Sequence, residues 1–226
     1  MVDALDAGLY SDIISSGGLI SALETIAERK RLDLGRVYSQ YAAGPGLFST
    51  AEIDSTRGTA SIQLGRQSRA FYVGIQGQGF TWVEGATDDL DILVEALAAW
   101  CDGMPLNSFA ERFTFMSLGR LAKAHEMGDP TLAQWNWLRT AEEFIDERPF
   151  VEAVHADGRF HGLFPNLSHG TLRLSWSHGL QGAHEVRICP LAEGSYRVED
   201  TASSISRVVV TLRDALSVAS ESLKDN

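Results

Sequence analysis

The chain is poor in cysteine, lysine and proline, and it has no long apolar run. Of its 226 residues only two are cysteines, Cys101 and Cys189, far apart and each in apolar surroundings. That excludes a disulfide scaffold and favours reduced, buried thiols of a cytoplasmic protein over a bridge or a catalytic thiol. No stretch approaches the about 18 apolar residues of a membrane helix. Met1-Val2-Asp3-Ala4-Leu5-Asp6 lacks the basic and apolar parts of a secretory signal. Catalytic signatures are missing too: there is no P-loop, His-Glu-x-x-His or Gly-x-Ser-x-Gly. No metal, nucleotide or other cofactor is therefore expected. Gly74-x-x-Gly77-x-Gly79 has the spacing of glycines that cradle phosphates, but strand-like Phe80-Thr81-Trp82-Val83 follows it instead of a helix. A hairpin turn is the expectation there.

Positive charge is scarce. Lys and Arg number 19 against 30 Asp and Glu, a net charge of −11, and the lysines are only Lys30, Lys123 and Lys224. A surface so acidic repels phosphate backbones, so nucleic acid and anionic membranes are excluded as general partners. A basic protein partner is compatible with it.

What is present is alternating helical and strand patterning. Leu19, Ile20, Leu23, Ile26 and Ala27 form a helical stripe after Gly17-Gly18. Short strands are expected at 60–64, 71–75 and 80–83, followed by a helix capped by Thr87 that buries Leu90, Leu93, Val94, Leu97 and Cys101. A helix is expected over 117–127. Another starts at Asp129-Pro130, with Leu132, Trp135, Leu138, Glu142 and Ile145 in one stripe, and a short one follows at 150–156. Strands return at 171–176, 185–188 and 196–198. The last helix is expected to gather Ile205, Val208, Val209, Leu212, Leu216 and Ala219, although Val208-Val209-Val210 also reads as strand.

The halves share a pattern. Arg57-Gly58-Thr59 followed by Ile62 and Leu64 parallels His169-Gly170-Thr171 followed by Leu172 and Leu174. The expected fold is α+β: two similar α-β-β-β-α units, each an antiparallel meander sheet flanked by helices, with a helical middle segment. The units are placed at 1–115 and 116–226, tightly associated or forming one domain. Internal duplication and two ordinary meanders both give this pattern, and duplication requires a shared strand order.

Five of the six histidines lie between His155 and His184. His155 and His161 fall on different faces of a helix with Gly158 between them, and His178 and His184 flank a Gly-rich loop, so a metal site is not expected. Ser168 and His169 are adjacent on what reads as an extended segment, which points them to opposite faces and denies them a dyad. His169 is the best acid–base candidate, at the start of a strand whose His169, Thr171, Arg173 and Ser175 make a polar face. Either that face is simply solvated, or it forms a pocket wall with His169 and Arg173 as catalytic groups. Ser168, His161 and Trp176 would then help to bind, with Arg57 in the matching place of the first half. Trp135 belongs to a helix core stripe, which leaves Trp137 partly exposed as a rim residue or a contact.

Leu163-Phe164-Pro165-x-x-Ser168-His169-x-x-Leu172-Arg173-Leu174-Ser175 resembles a hallmark of an actinobacterial family of uncharacterised natural-product-biosynthesis proteins. Ser16-Gly17-Gly18-Leu19, Arg57-Gly58, Leu90 with Trp100, and Ala124-x-Glu126-x-Gly128 before Trp135-x-x-Leu138 fit the same family. The resemblance implies a setting in secondary metabolism and no catalytic residues. The leading expectation is thus a cytoplasmic protein that binds, or binds and transforms, a small biosynthetic intermediate. The alternative is a protein-binding module, either a chaperone-like escort or a toxin-neutralising immunity protein. A concave pocket with convergent polar groups separates the first from the second.

Overall fold

Helices and antiparallel strands segregate into two units, Met1–Lys123 and Ala124–Asn226, in the computed structural model, which describes residues 5–77, 79–176 and 184–223. In the first unit, α1 (Ala7–Ser15) and α2 (Leu19–Lys30) precede β1 (Val37–Tyr38), the short α3 (Gly46–Ser49) and four strands. These strands are β2 (Thr50–Ser55), β3 (Gly58–Leu64), β4 (Phe71–Gly77) and β5 (Phe80–Thr87). Then come α4 (Leu90–Cys101), α5 (Leu106–Arg112) and β6 (Met116–Leu118), which completes a six-stranded sheet in chain order.

Alternation gives this sheet two unlike faces. Ala51, Ile53, Ala60, Ile62, Leu64, Phe71, Val73, Ile75 and Val83 are buried with Leu23, Leu93, Leu97 and Trp100 in one core. The alternate residues, among them Glu52, Ser61, Tyr72, Gly74 and Glu84, face outward. Asp89 starts α4 by accepting the Ile92 N–H at 3.1 Å, and Thr87 in turn accepts the Asp89 N–H at 3.1 Å. The cap therefore lies two residues beyond the one expected. Tyr10 anchors α1 by donating its hydroxyl to the Gly65 and Ala70 carbonyls, each at 3.0 Å.

In the second unit, α7 (Pro130–Thr140) and α8 (Arg148–His155) follow α6 (Ala122–Met127), which lies at the division between units. The strands β7 (Phe164–Ser168), β8 (Thr171–Ser175), β9 (Glu185–Pro190), β10 (Tyr196–Asp200) and β11 (Ile205–Val209) form a second meander, and α9 (Leu212–Ser222) closes the unit. Trp135, Leu138, Val151, Val154, Phe160, Leu172, Leu174, Val186, Ile188, Val198 and Ala215 form its core. The Trp135 indole N–H is satisfied by the Leu163 carbonyl at 3.0 Å, as a buried indole requires.

The α+β architecture with two meander sheets is as expected, and both sheets follow chain order. The run β2-β3-β4-β5-α4 is paralleled by β7-β8-β9-β10 and α9, with β11 added before the closing helix. Each sheet has more strands than the three expected. Pro165 lies in β7, an edge strand, where a missing N–H need cost no ladder bond. The expected helix over 117–127 survives only as α6, from Ala122: Leu118 pairs with Val83, and the Gly119 N–H reaches the Trp82 carbonyl at 2.8 Å. A Cβ at Gly119 would overlap the Thr81 carbonyl, so the glycine admits this pairing. Since β6 is bonded to β5, the first unit runs on beyond 115.

The last expected helix also splits. Residues 205–209 pair with β10, and the helix begins only after Thr211, whose hydroxyl accepts the Asp214 N–H at 3.1 Å. The β-branched run follows strand preference once β10 offers it partners. Helix α7 ends at Thr140, so Glu142 and Ile145 leave its stripe; Leu132 and Ile145 are exposed. The Gly74–Gly79 segment does lie at a hairpin, between β4 and β5.

Candidate functional site

The residues proposed from sequence do not gather into one site. Ser168 pairs with Thr171 across a two-residue loop in which His169 has φ 50° and Gly170 φ 71°. Positive φ at both central positions is the geometry that fits the twist of a tight hairpin. The left-handed turn swings the two side chains together, and Ser168 Oγ lies 3.0 Å from His169 Nδ1. The expectation that they point apart is corrected, because His169 is not extended. For the same reason His169 does not share a regular strand face with Arg173. It stands exposed at a hairpin tip.

Arg173 lies on β8 between Asn166 and Arg187 in register. Arg187 is held by Glu185 at 3.1 Å, whereas the Arg173 Nε is buried with no hydrogen-bond partner among the described residues. Ser175, on the same face, is buried, so the face is not solvated throughout. Trp176, just past β8, is 58% exposed. Trp137 is half-buried, its ring against Phe144 at 4.7 Å, and it packs on the core rather than standing out as a contact.

Arg57, in the first unit, lies flat on Trp100, its guanidinium carbon 3.7 Å from the ring centre. It also donates to the Trp100 carbonyl at 3.2 Å. That carbonyl lies in the last turn of α4, where a cation is favoured, so Arg57 serves the fold.

His155 and His161 come together after all, rings stacked 4.6 Å apart. The 3₁₀ turn at Gly158–Phe160 brings the chain back, and His161 Nε2 donates to the His155 carbonyl at 2.6 Å. Burial, then the positive Arg139 and the neighbouring His161, hold the His155 imidazole below its usual pKa. Among the described residues no group of three or more His, Cys, Asp or Glu could hold a metal ion. His178 lies outside the described residues.

Two cavities carry chemistry that the sequence reading missed. One, in the second unit, encloses about 390 Å³ between the β10–β11 end and α9, and it is lined by His184, Asp200, Ser203, Arg207, Glu221 and Ser222 among others. His184 Nε2 meets Asp200 Oδ1 at 2.7 Å, and both side chains are nearly buried. The Ala202 N–H and the Ser203 hydroxyl also donate to Asp200, at 2.9 and 2.6 Å. Burial pushes the carboxyl up, but these hydrogen bonds, Ser203 first, reverse that and leave its pKa below the usual value. A fixed carboxylate orients the imidazole as acid–base chemistry needs. Ser203 donates its hydroxyl proton to the carboxylate. The legible signal was alternation: Asp200 shares the core face of β10 with Val198, an unusual place for an acid.

The other cavity, of about 660 Å³, is a depression on the outward face of the first sheet. Its floor follows the register Glu52–Ser61–Gly74–Glu84–Ser117 across successive strands. The floor is low because Ser61, Gly74 and Ser117 are small, and a Cβ at Gly74 would stand in open space. Tyr41 and Tyr72, 46% and 53% exposed, stand among its walls. A chain of hydrogen bonds fixes the Tyr41 lip: Tyr41 N–H to Ser39 Oγ at 3.2 Å, Ser39 to Thr50 at 3.1 Å, and Thr50 to the Gly46 carbonyl at 2.8 Å. The Tyr41 ring lies where a Cβ on residue 46 would be. Sequence alone could not assemble this floor, since β2 was not read and register is a tertiary fact.

No helix among the described residues is long and apolar enough to cross a membrane. No curated protein and no solved structure matches the chain. The motifs around Ser16, Arg57, Leu90 and Ala124 lie in the part without a match. Residues 131–225, which hold the Ser168–His169 hairpin and the His184–Asp200 pair, match a family of unknown function (DUF6193).

Proposed function

We propose that this chain binds a small organic molecule on the outward face of its first sheet, as a cytoplasmic protein of secondary metabolism. The single observation behind the binding role is the depression of about 660 Å³, lined by convergent hydroxyl, amide, carboxylate and phenol groups. Its size falls within the range of small-molecule sites. The metabolic setting rests on the resemblance of the 163–175 run alone. The binding place moves away from His169 and Arg173, which lie in the second unit.

Gly74→Phe tests the reading, because a Cβ at Gly74 meets no atom within 4 Å and the ring beyond it would occupy the depression. Wild-type and variant chains are incubated with the low-molecular-mass fraction of a host extract, and retained compounds are identified by mass spectrometry. Wild type is expected to retain a compound that the variant does not. Identical retention by both counts against the proposal.

A protein-binding role is the second reading, favoured by β11. On this sheet-edge strand and just beyond it, Ile205, Val208 and Val210 are 47%, 61% and 78% exposed. Apolar edges of this kind invite strand pairing. A partner docked there is captured equally by wild type and Gly74→Phe.

A further inference from the structure

We infer that the ligand of the first-sheet depression is an organic cation bearing amine or guanidine groups; this rests on the binding role proposed above. Among the described residues, Glu52 and Glu84 are the acidic side chains that line the depression, and no Lys, Arg or His lines it. Neither carboxylate takes part in a hydrogen bond or ion pair among the described residues.

Two other cavities hold acids that have partners. The one beside α2 and α4 contains Asp12 and Asp91 but supplies its own cations, Arg69 on Asp12 at 2.8 Å and Arg29 on Asp91. The one beside Cys101 has Asp33 accepting the Gly35 N–H at 2.8 Å and Asp54 accepting from Tyr38 and Thr59. The carboxylates of Asp12, Asp91, Asp33 and Asp54 are met within the fold. The charges of Glu52 and Glu84 are not.

Geometry adds a second constraint. Glu52 and Glu84 are in register with Ser61 and Gly74 between them. Three inter-strand spacings put their Cα atoms about 14 Å apart, so the carboxylates stand at opposite ends of the floor instead of sharing one ion. Tyr41 and Tyr72 offer aromatic faces, and a cation is attracted to such a face within about 6 Å. A molecule with a positive group at each end and an apolar middle over Gly74 satisfies both carboxylates.

The test is isothermal titration calorimetry on the full chain with cadaverine, alongside pentylamine and pentanediol as singly charged and uncharged counterparts. Cadaverine is expected to bind with one-to-one stoichiometry, pentylamine more weakly, and pentanediol not measurably. Glu52→Gln with Glu84→Gln is expected to weaken cadaverine by about tenfold or more. Glu111→Gln with Glu152→Gln, exposed acids elsewhere on the chain, should leave binding unchanged and so remove the effect of net charge. Circular dichroism confirms that each variant is folded.

Equal binding to the double Glu52/Glu84 variant and wild type overturns the inference, as does pentanediol binding as tightly as cadaverine. If an uncharged compound is retained by wild type but lost in Gly74→Phe, the cation class fails while the binding role stands. If Gly74→Phe changes the retention of nothing, the binding role itself fails.

Discussion

Single residues in this protein are assigned by what their polar atoms meet. Asp200 sits on an apolar strand face, where an ionised carboxylate is tolerated only with several donors around it. Its donors include His184, the Ser203 hydroxyl and the Ala202 N–H. Asp200→Ala leaves these donors without their acceptor, and a loss of about 1–3 kcal/mol is expected in urea unfolding followed by tryptophan fluorescence. The carboxyl pKa is lowered on folding, so its contribution is complete above the unfolded value, about 3.9. It disappears as pH falls through the folded one. Asp200→Asn should therefore lose that acid limb of the stability profile; an unchanged limb would refute the assignment. By the same standard Arg57, with its guanidinium on Trp100 and on the last turn of α4, is a structural residue rather than a pocket residue.

At the scale of elements, the β7–β8 hairpin shows how a turn decides a side chain's company. His169 and Gly170 both take positive φ, which glycine and asparagine accept most readily. Gly170→Ala is expected to cost about 1–2 kcal/mol by placing a Cβ in a left-handed conformation, whereas His169→Asn should keep or raise stability. Chemical denaturation of the two variants checks both signs. A large loss in His169→Asn would mean that the imidazole contributes more than its bond to Ser168. Helical periodicity failed at two element boundaries, 117–121 and 205–209, and for one reason. Each segment carries apolar residues spaced so that helix and strand are both satisfied, and in each a neighbouring strand with open backbone groups settled the choice. Where no strand competes, as in α2 and α4, the stripe read from sequence is buried except for Ile20 and Cys101, which are half-buried.

For the whole molecule, the net charge of −11 takes on meaning only through its placement. Many acids near α1, α2 and α4 are matched by arginine or lysine, as in Arg69–Asp12 and Lys30–Glu95. The two in the first-sheet depression are not. Global stability should also respond to pH in the imidazole range through His155, whose pKa is lowered in the folded chain. Between the folded value and the unfolded one, about 6.5, the unfolded chain binds more protons. Stability therefore falls as pH drops through that window and levels off beneath it. Guanidine unfolding across this range should show the fall in wild type and a smaller one in His155→Gln; an equal fall in both would assign it elsewhere.

The sequence by itself determined the α+β class, the meander pattern, the amphipathic helices and the sparing use of cysteine. These follow from residue spacing and composition, which act locally or on the chain as a whole. Register, turn handedness and pairing were decided only in the tertiary structure. Register brought Glu52, Ser61, Gly74 and Glu84 into one row, though 32 residues separate the first from the last. Turn handedness put the Ser168 hydroxyl on the His169 imidazole, and pairing turned the β-branched run near 208 from helix into strand. The physical reason is common to all three: each depends on groups distant in sequence, or on a backbone conformation that alternation alone does not encode.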